Sequence, residues 1–349
     1  MGTVPSPRHA GAVSSLPFPF PAVHSVPCAG ALAELLRREY ADSPTLSVRL
    51  LRRNINDTSL VRGLPGHQNA VLRVYRSGWR SEAEVAWELE FIEGVAAAGV
   101  PVSRPLARQH GELFGVLPAV EGPRVYAVFE HVSGRLLEPS EADAAAYGTA
   151  AARLHTAADG LDLNSRGGQN RFPLDLDHLI TGPLEALRPL LEGSPDLLRE
   201  LEAIAARTHT RLAALAPALE WGLCHGDLHE GNARLGEDGA VRLFDFDCGG
   251  PGWRAYDLAV YGWSLASNSG NDPEVAERAW QAFLAAYQQG RSLGQADLEA
   301  IPLFVTARSL WFMGLMAGRV HEFGTETLDG GFFEYVLNFL REWDARRDG

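Results

Sequence analysis

A segment of 25 residues in the second half of the chain, residues 223–247, places the strongest constraint on the fold. It reads LCHGDLHEGNARLGEDGAVRLFDFD. Residues 232–244 show the pattern of two short strands around the turn sequence GEDG, which predicts a β-hairpin. A hairpin of this size returns Asp245 to the loop that carries Asp227 and Asn232. We therefore expect two carboxylates and one amide to converge on one pocket.

The chemistry of these three side chains points to a magnesium-dependent reaction. Carboxylate and amide oxygens are hard ligands, and Mg²⁺ typically takes a few of them and keeps water and substrate phosphates as its other ligands. A carboxylate beside such an ion can accept the proton of a substrate hydroxyl. A base, two metal ligands and a phosphate site are the parts that phosphoryl transfer needs.

The sequences HGDLHEGN and FDFD resemble the motifs of the aminoglycoside phosphotransferase and choline kinase family, which shares its fold with the protein kinases. The spacing of the first motif fits the catalytic loop H-R-D-x-x-x-x-N, and the second corresponds to D-F-G. The resemblance implies that Asp227 is the catalytic base and that Asn232 and Asp245 bind Mg²⁺. Asp247 is a further candidate metal ligand.

Cationic work in this chain falls to arginine, histidine, helix N-termini or metal ions, because the chain has 31 arginines and no lysine. This composition excludes a P-loop and lysine Schiff-base chemistry. The family usually has a lysine on a strand of the nucleotide lobe, paired with a helix glutamate. Here the strand sequence NAVLRVYR places Arg73 at that position. Glu88 is the predicted partner, with Glu84 and Glu90 as alternatives, and arginine can grip phosphate bidentately.

Other nucleotide contacts are predicted from position alone. No G-x-G-x-x-G precedes the strand of Arg73, and residues 54–58 form the turn at the expected phosphate site. Thr58 is a candidate phosphate contact, with a plain hairpin turn as the alternative. Glu130 and Val132, in the sequence EHV, resemble the hinge whose backbone binds adenine. ATP and Mg²⁺ are therefore the expected cofactors.

The patterns along the chain predict an α+β, bilobal, protein-kinase-like fold. A small, mostly antiparallel β lobe with one helix is followed by a larger helical lobe. We expect a proline-rich flexible arm at 1–28, a nucleotide-binding lobe at 29–132 and a catalytic, acceptor-binding lobe at 133–349. Strand patterns lie at 45–53, 58–62, 69–76, 113–117 and 124–130, and helical patterns lie at 29–38, 81–98, 140–157, 196–216, 255–267, 273–289, 296–321 and 331–346.

The net charge and composition of the chain limit the kinds of partner and the location that we expect for it. A net charge of −13 argues against a nucleic acid or an anionic membrane surface. Three scattered cysteines and no signal-peptide pattern predict a cytoplasmic protein, and no apolar run is expected to span a bilayer. The sequence gives no expectation for the oligomeric state.

The sequence thus predicts an ATP- and Mg²⁺-dependent phosphotransferase that moves the γ-phosphate to a hydroxyl of a small molecule. Aminoglycosides, homoserine and choline-like alcohols all remain open as acceptors. One alternative is a protein Ser/Thr kinase resembling the bacterial stress-response kinases. A second alternative, from a different class, is a catalytically silent nucleotide-binding regulator, which only the missing lysine favours.

Overall fold

The N-terminal part of the chain forms a five-stranded antiparallel sheet. The computed structural model describes residues 20–162, 171–268, 270–324, 326, 328 and 330–347. The sheet order is β1-β2-β3-β5-β4. Its strands are β1 (Ser47–Arg53), β2 (Asp57–Arg62), β3 (Asn69–Val74), β4 (Phe114–Ala119) and β5 (Gly122–Glu130).

Two helices accompany the sheet, at the positions of the predicted helical patterns 29–38 and 81–98. Helix α1 (Ala29–Glu39) packs on β1, and helix α2 (Glu82–Ala97) connects β3 to β4. The start of α2 is set by a capping box, in which Ser81 accepts from the Glu84 backbone and Glu84 bonds back to Ser81.

The remainder of the chain is mostly helical. Among the described residues it contains two more pairs of short strands, β6 with β9 and β7 with β8, and eight α-helices. The strands are β6 (Trp221–Cys224), β7 (Ala233–Leu235), β8 (Val241–Leu243) and β9 (Gly250–Trp253). The helices are α3 (Glu141–Asp159), α4 (Gly182–Leu187), α5 (Pro195–Leu215), α6 (Arg254–Ser267), α7 (Pro273–Gly290), α8 (Gln295–Ala317), α9 (Val320–Phe323) and α10 (Gly330–Arg347). A small antiparallel β lobe followed by a larger helical lobe confirms the predicted α+β fold.

Helix α8 is the central helix of the C-terminal lobe, and it corrects two expectations. The helix predicted over 296–321 is broken, because Arg319, at φ −123° and ψ 16°, leaves helical geometry between α8 and α9. The length and apolar composition of α8 would also allow it to cross a membrane. The sequence was expected to contain no apolar run able to do so. However, 78% of that apolar stretch is buried within the fold, where α8 packs against α4, α5 and α6.

Part of the N-terminal arm, predicted to be flexible over residues 1–28, is held against the sheet. Residues 1–19 lie outside the described residues. His24 lies 3.2 Å from the Asp57 carboxylate, and Ser25 donates to Glu121 through its backbone and hydroxyl. The buried Arg124 donates to the Ser25 carbonyl at 2.8 Å. These polar partners satisfy the extended backbone and fix this end of the arm.

The packing of α2 couples the two lobes. Its apolar side chains, including Trp87, Phe91 and Ile92, belong to the large core that fills the C-terminal lobe. The side of the sheet that faces α1 forms a separate, smaller core. Helix α2 is thus fixed to the elements that carry the FDFD motif, and its position is linked to the geometry of the cleft.

Candidate active site

Arg73 lies at the centre of a charged network in the cleft between the lobes. Its guanidinium is 2.9 Å from Glu88 on α2 and 2.9 Å from Asp245 in the FDFD motif. Tyr75 donates to the second oxygen of Glu88 at 3.0 Å. The alternatives Glu84 and Glu90 do not contact Arg73 in the described structure. Arg73 therefore joins the sheet, α2 and the second half of the motif.

Burial and charge act in opposite directions within this network. Burial raises the pKa of Glu88 to about 7, although the charge of Arg73 opposes the rise. Burial disfavours the charge of Arg73, but the carboxylate of Asp245, together with Tyr75 and Glu88, raises the pKa of Arg73 above its ordinary value. Arg73 therefore stays cationic in a buried position, as a phosphate-binding group requires.

Asp227 and Asn232 lie side by side on the loop after β6. The Asn232 amide nitrogen donates at 3.0 Å both to the Asp227 carbonyl and to its carboxylate. Among the described residues no donor contacts the Asn232 amide oxygen. The Asp227 side chain is 20% exposed, so its carboxylate can be reached from the cleft.

A buried chain of hydrogen bonds holds this loop. The Asp257 carboxylate on α6 accepts from the His225 and Gly226 backbones at 2.6 and 2.7 Å. His155 contacts the same carboxylate at 3.1 Å and Tyr287 at 2.8 Å. Burial lowers the pKa of His155, so it remains neutral and donates to Asp257. This network fixes the backbone that leads into Asp227.

A glycine is required within the loop. Gly226 adopts φ +76°, in the left-handed region, and an added Cβ would lie 1.9 Å from the Cys248 carbonyl oxygen. Any larger residue would push the loop away from the FDFD segment. The sequence HGD is therefore a steric requirement as well as a motif.

Asp245 has an uncommon backbone conformation that directs it into the cleft. At φ 68° and ψ 60° it is the one non-glycine residue with positive φ in the described structure. The next residue, Phe246, packs against the His225 ring at 4.3 Å and the Phe91 ring at 5.7 Å. Burial of Phe246 thus stabilises a conformation that costs about 1–3 kcal/mol on its own, and such residues cluster at functional sites.

The oxygens of Asn232 and Asp245 fit a magnesium ion. One Asp245 oxygen contacts Arg73 and the other has no protein donor among the described residues. The described chain contains no cluster of three or more His, Cys, Asp or Glu suited to a metal. Two protein oxygens supplemented by phosphate and water are the ligand set that suits Mg²⁺.

Asp247, the further candidate ligand, is instead surrounded by donors. Asn56 and Trp79 both donate to one of its oxygens, Trp79 at 3.0 Å. Arg80 lies 3.6 Å from the other. Burial opposes ionisation, but Arg80 and its neighbours lower the pKa of Asp247. Because both oxygens have protein partners, Asp247 connects the β1–β2 turn to the motif and is not free to bind a metal in this arrangement.

The remaining predicted nucleotide contacts lie along the same cleft. Thr58 is on β2 directly opposite Arg73, so the two side chains share a face of the sheet. The Glu130 backbone is already used, because its N–H donates to Arg104 and its carbonyl accepts from Ser103. No hydrogen bond among the described residues uses the Val132 backbone. The Val132 backbone is thus open to a ligand, as the predicted contact with adenine requires.

Sequence reasoning missed Arg308, which forms an ion pair with Asp227 from α8. Arg308 is almost fully buried, and its guanidinium stacks over Trp263 and Trp311 at 5.0 and 4.4 Å. Burial opposes the ionisation of Asp227, but the charges of Arg308 and His229 hold the pKa of Asp227 well below its ordinary range. Arg308 is the one charged residue of the stretch 300–317, and a lone charge in such an apolar stretch is the signal that indicates a buried partner.

The sheet, the loop of Asp227 and the conformation of Asp245 together define a protein-kinase-like phosphotransferase. The profile of the phosphotransferase enzyme family matches residues 47–293, and the chain belongs to this family. It is a kinase-type enzyme with an alcohol group as acceptor.

Comparisons with individual proteins agree with this assignment. An uncharacterized protein of Deinococcus radiodurans is 56% identical over 340 residues, covering 97% of this chain and 96% of its own. A homoserine kinase of Methylobacterium is 30% identical over 243 residues, covering 67% of this chain and 68% of its own. The structure of the amicoumacin kinase hAmiN in complex with AMP-PNP, Ca²⁺ and Ami has the same fold, with a TM-score of 0.68 at 19% identity over 91% and 93% of the two chains.

Proposed function

We propose that the protein transfers the γ-phosphate of ATP to a hydroxyl of a small molecule and requires Mg²⁺. The observation that carries the proposal is the convergence of Arg73, Asn232, Asp227 and Asp245 on one cleft. These groups supply a phosphate-binding cation, two metal-binding oxygens and a carboxylate for the acceptor, which is the set that phosphoryl transfer needs.

Asp227 orients the acceptor hydroxyl and receives its proton. Because the charge of Arg308 outweighs burial and lowers the pKa of Asp227, the carboxylate is ionised near neutral pH. A weak base takes the proton late, after most of the bond to the leaving group has broken. That order suits the loose transition state of phosphoryl transfer.

Asn232 and Asp245 are the residues that would hold Mg²⁺, which would supply neutralisation of charge on the nucleotide phosphates. The Asp227 carboxylate holds the Asn232 amide nitrogen, which turns the amide oxygen outward. Arg73 likewise holds one oxygen of Asp245 and leaves the other open.

Arg73 and the hinge bind the nucleotide. Arg73 contacts the non-transferred phosphates, and Glu88 positions its guanidinium. Val132 offers its backbone to adenine, while Thr58 borders the phosphate site and Glu130 supports the hinge from behind. An arginine with two fixed carboxylate partners performs the task that a lysine performs in most relatives.

The structure favours a small acceptor over a protein. Residues 246–253 alone separate Asp245 from α6, which leaves no room for a long peptide-binding segment. The ion pair of Arg73 and Glu88 also speaks against a silent regulator. ATP as donor and three free cysteines support a cytoplasmic location.

An ATP-consumption assay with a panel of small alcohols tests the proposal. We expect Mg²⁺-dependent transfer to at least one alcohol, and we expect EDTA to abolish it. Tight nucleotide binding without transfer to any alcohol or protein would instead support the silent regulator, and transfer to protein alone would support the protein kinase.

A further inference from the structure

Arg52, near the end of the edge strand β1, lies in the same row of the sheet as Arg73. Arg52 is directly opposite Thr58 on β2, and Thr58 is directly opposite Arg73 on β3. Opposite residues of an antiparallel pair project from the same face of the sheet. Two strand spacings of about 4.8 Å put the Cα atoms of Arg52 and Arg73 roughly 10 Å apart. Two arginines therefore border the same part of the cleft, and we call Arg52, Thr58 and Arg73 the polar row.

The next row on this face, nearer the hinge, is apolar. Leu60 is opposite Val71, and Val71 is opposite Phe129, which directly precedes the hinge segment. The apolar row is two residues, about 7 Å, from the polar row along the strands. A base held at Val132 would lie at the apolar end of this face, so its phosphates would extend toward the polar row.

The β1–β2 turn, which follows Arg52, is fixed to the FDFD motif. Asn56 in this turn donates to the Asp247 carboxylate, and its amide oxygen accepts from the Arg76 backbone at 3.2 Å. Asp247 is two residues beyond Asp245, one of the proposed Mg²⁺ ligands. The end of β1 that carries Arg52 is therefore held at the part of the cleft where the phosphates and the metal would meet.

The Arg52 guanidinium is oriented through one nitrogen and free at the other two. The Asn54 amide, in the orientation that satisfies both its oxygen and its nitrogen, accepts from Arg52 Nε at 3.0 Å and donates to the Arg53 carbonyl at 2.9 Å. In the part of the chain that the structure describes, no carboxylate pairs with Arg52 and no hydrogen bond uses its terminal nitrogens. Arg52 is also exposed. A guanidinium with two free terminal nitrogens can bind a phosphate bidentately.

The charges in the cleft leave a task for a second cation. Arg73 already faces the carboxylates of Glu88 and Asp245, so its single charge is balanced before a nucleotide arrives. A triphosphate brings further negative charge, which phosphotransferases neutralise with side-chain cations and metal ions. The chain has no lysine, and Arg52 is the arginine of the polar row that has no carboxylate partner within the described residues.

We propose that Arg52 is a second phosphate-binding residue, which contacts the terminal phosphate of the nucleotide while Arg73 contacts the phosphates nearer the ribose. The inference rests on the proposed function and adds a specific residue to its nucleotide site. The terminal phosphate is assigned to Arg52 because β1 is the exposed edge of the sheet, and the phosphate that is transferred has to be open to the acceptor.

Isothermal titration with AMP, ADP and ATP, each with Mg²⁺, tests the proposal. In Arg52→Met we expect the Kd for ATP to rise about 10-fold, the low end for a charge-assisted hydrogen bond, because Arg52 is exposed and solvent screens its charge. The Kd values for ADP and AMP should stay close to those of the parent protein, since neither nucleotide has the terminal phosphate.

Two further variants show whether the charge and the face of the sheet are the cause. Arg52→Lys should retain part of the affinity for ATP, because it keeps the charge and loses the planar fork of the guanidinium. Arg53→Met is the matched control. Arg53 is the next exposed arginine of β1, but it lies opposite Asp57 and projects from the other face. Its substitution should leave the Kd for ATP at the parent value.

The outcomes separate this inference from the proposed function. An unchanged Kd for ATP in Arg52→Met, equal increases for ATP and ADP, or the same increase in Arg53→Met would overturn the contact with the terminal phosphate. The melting temperature of each unliganded variant should match that of the parent protein, which shows that the variant is folded. If the parent protein binds ATP but transfers its phosphate to no alcohol, the proposed function fails, and the same Kd comparison still decides the contact of Arg52. Absence of ATP binding by the parent protein would overturn both.

Discussion

Arginines on the two sides of the cleft have different partners. On the nucleotide side, Arg73 has two carboxylates at 2.9 Å, one from α2 and one from the FDFD motif. On the side of Asp227, the acceptor side, Arg308 pairs with the single carboxylate of Asp227 and stacks over Trp263 and Trp311. The first arrangement is a preorganised grip whose charge is balanced before any ligand arrives. The second is a one-to-one ion pair in which the arginine lowers the pKa of the proposed base.

Asp227 is the proposed base, and its substitution should have the largest effect. Asp227→Asn removes the base and leaves the volume unchanged. We expect kcat to fall about 1,000-fold or more, because a positioned general base contributes about 10²–10⁴-fold. Turnover under saturating ATP and acceptor measures this loss.

Nucleotide binding provides the control for that variant. The Kd for ATP should change little in Asp227→Asn, because the grip of Arg73 and Glu88 is intact. Near-normal turnover in this variant would remove the assignment of Asp227 as base.

Substitution of Arg73, on the nucleotide side of the cleft, should have the next largest effect. Arg73→Ala removes the phosphate contact and leaves Glu88 buried beside Tyr75. We expect the Kd for ATP to rise roughly 10- to 100-fold, the value of a charge-assisted hydrogen bond to phosphate. Isothermal titration with ATP and Mg²⁺ measures the change.

The conservative variant Arg73→Lys sharpens this test. It restores the residue type usual in the family and should keep most of the affinity, with some loss of the contact to Asp245. An unchanged Kd in Arg73→Ala would show that the grip on the nucleotide lies elsewhere in the cleft.

The nucleotide side was predictable from sequence and the acceptor side was not, for physical reasons. Arg73 and Glu88 follow local patterns, a strand and a capped helix, and the hairpin of FDFD brings its ends together through local turn chemistry. The pairing of β6 with β9 is non-local and uses the sequence GPGW, which has little strand preference.

Arg308 comes from α8, more than 80 positions beyond the HGD motif. It did carry a signal, as the one charged residue of the stretch 300–317, but its partner depends on how α8 packs. The helix break at Arg319 likewise escapes the sequence pattern, which runs straight through it. Both features therefore depend on tertiary packing, which local periodicity does not encode.

Substitution of Arg308 tests whether the acceptor side tunes the base. Arg308→Met removes the charge that lowers the pKa of Asp227, so this pKa should rise. The acid limb of kcat/KM should then lie at higher pH in Arg308→Met than in the parent protein. Arg308→Lys should keep the parent profile, and an unshifted acid limb in Arg308→Met would argue against this coupling.

The smallest expected effect concerns stability and belongs to Glu88. Its pKa of about 7 in the fold lies above its ordinary value of 4.5, so the folded state holds a proton that the unfolded state releases. The contribution of Glu88 to the free energy of unfolding is fully present below about pH 4.5. This contribution, up to about 3 kcal/mol, is lost as pH rises through 7. Glu88→Gln keeps a partner for Tyr75 and should flatten this part of the profile. Urea denaturation between pH 5 and 8 measures how the free energy of unfolding changes with pH. Equal slopes in the parent protein and in Glu88→Gln would show that Arg73 keeps Glu88 ionised. The nucleotide side would then be balanced by two full negative charges.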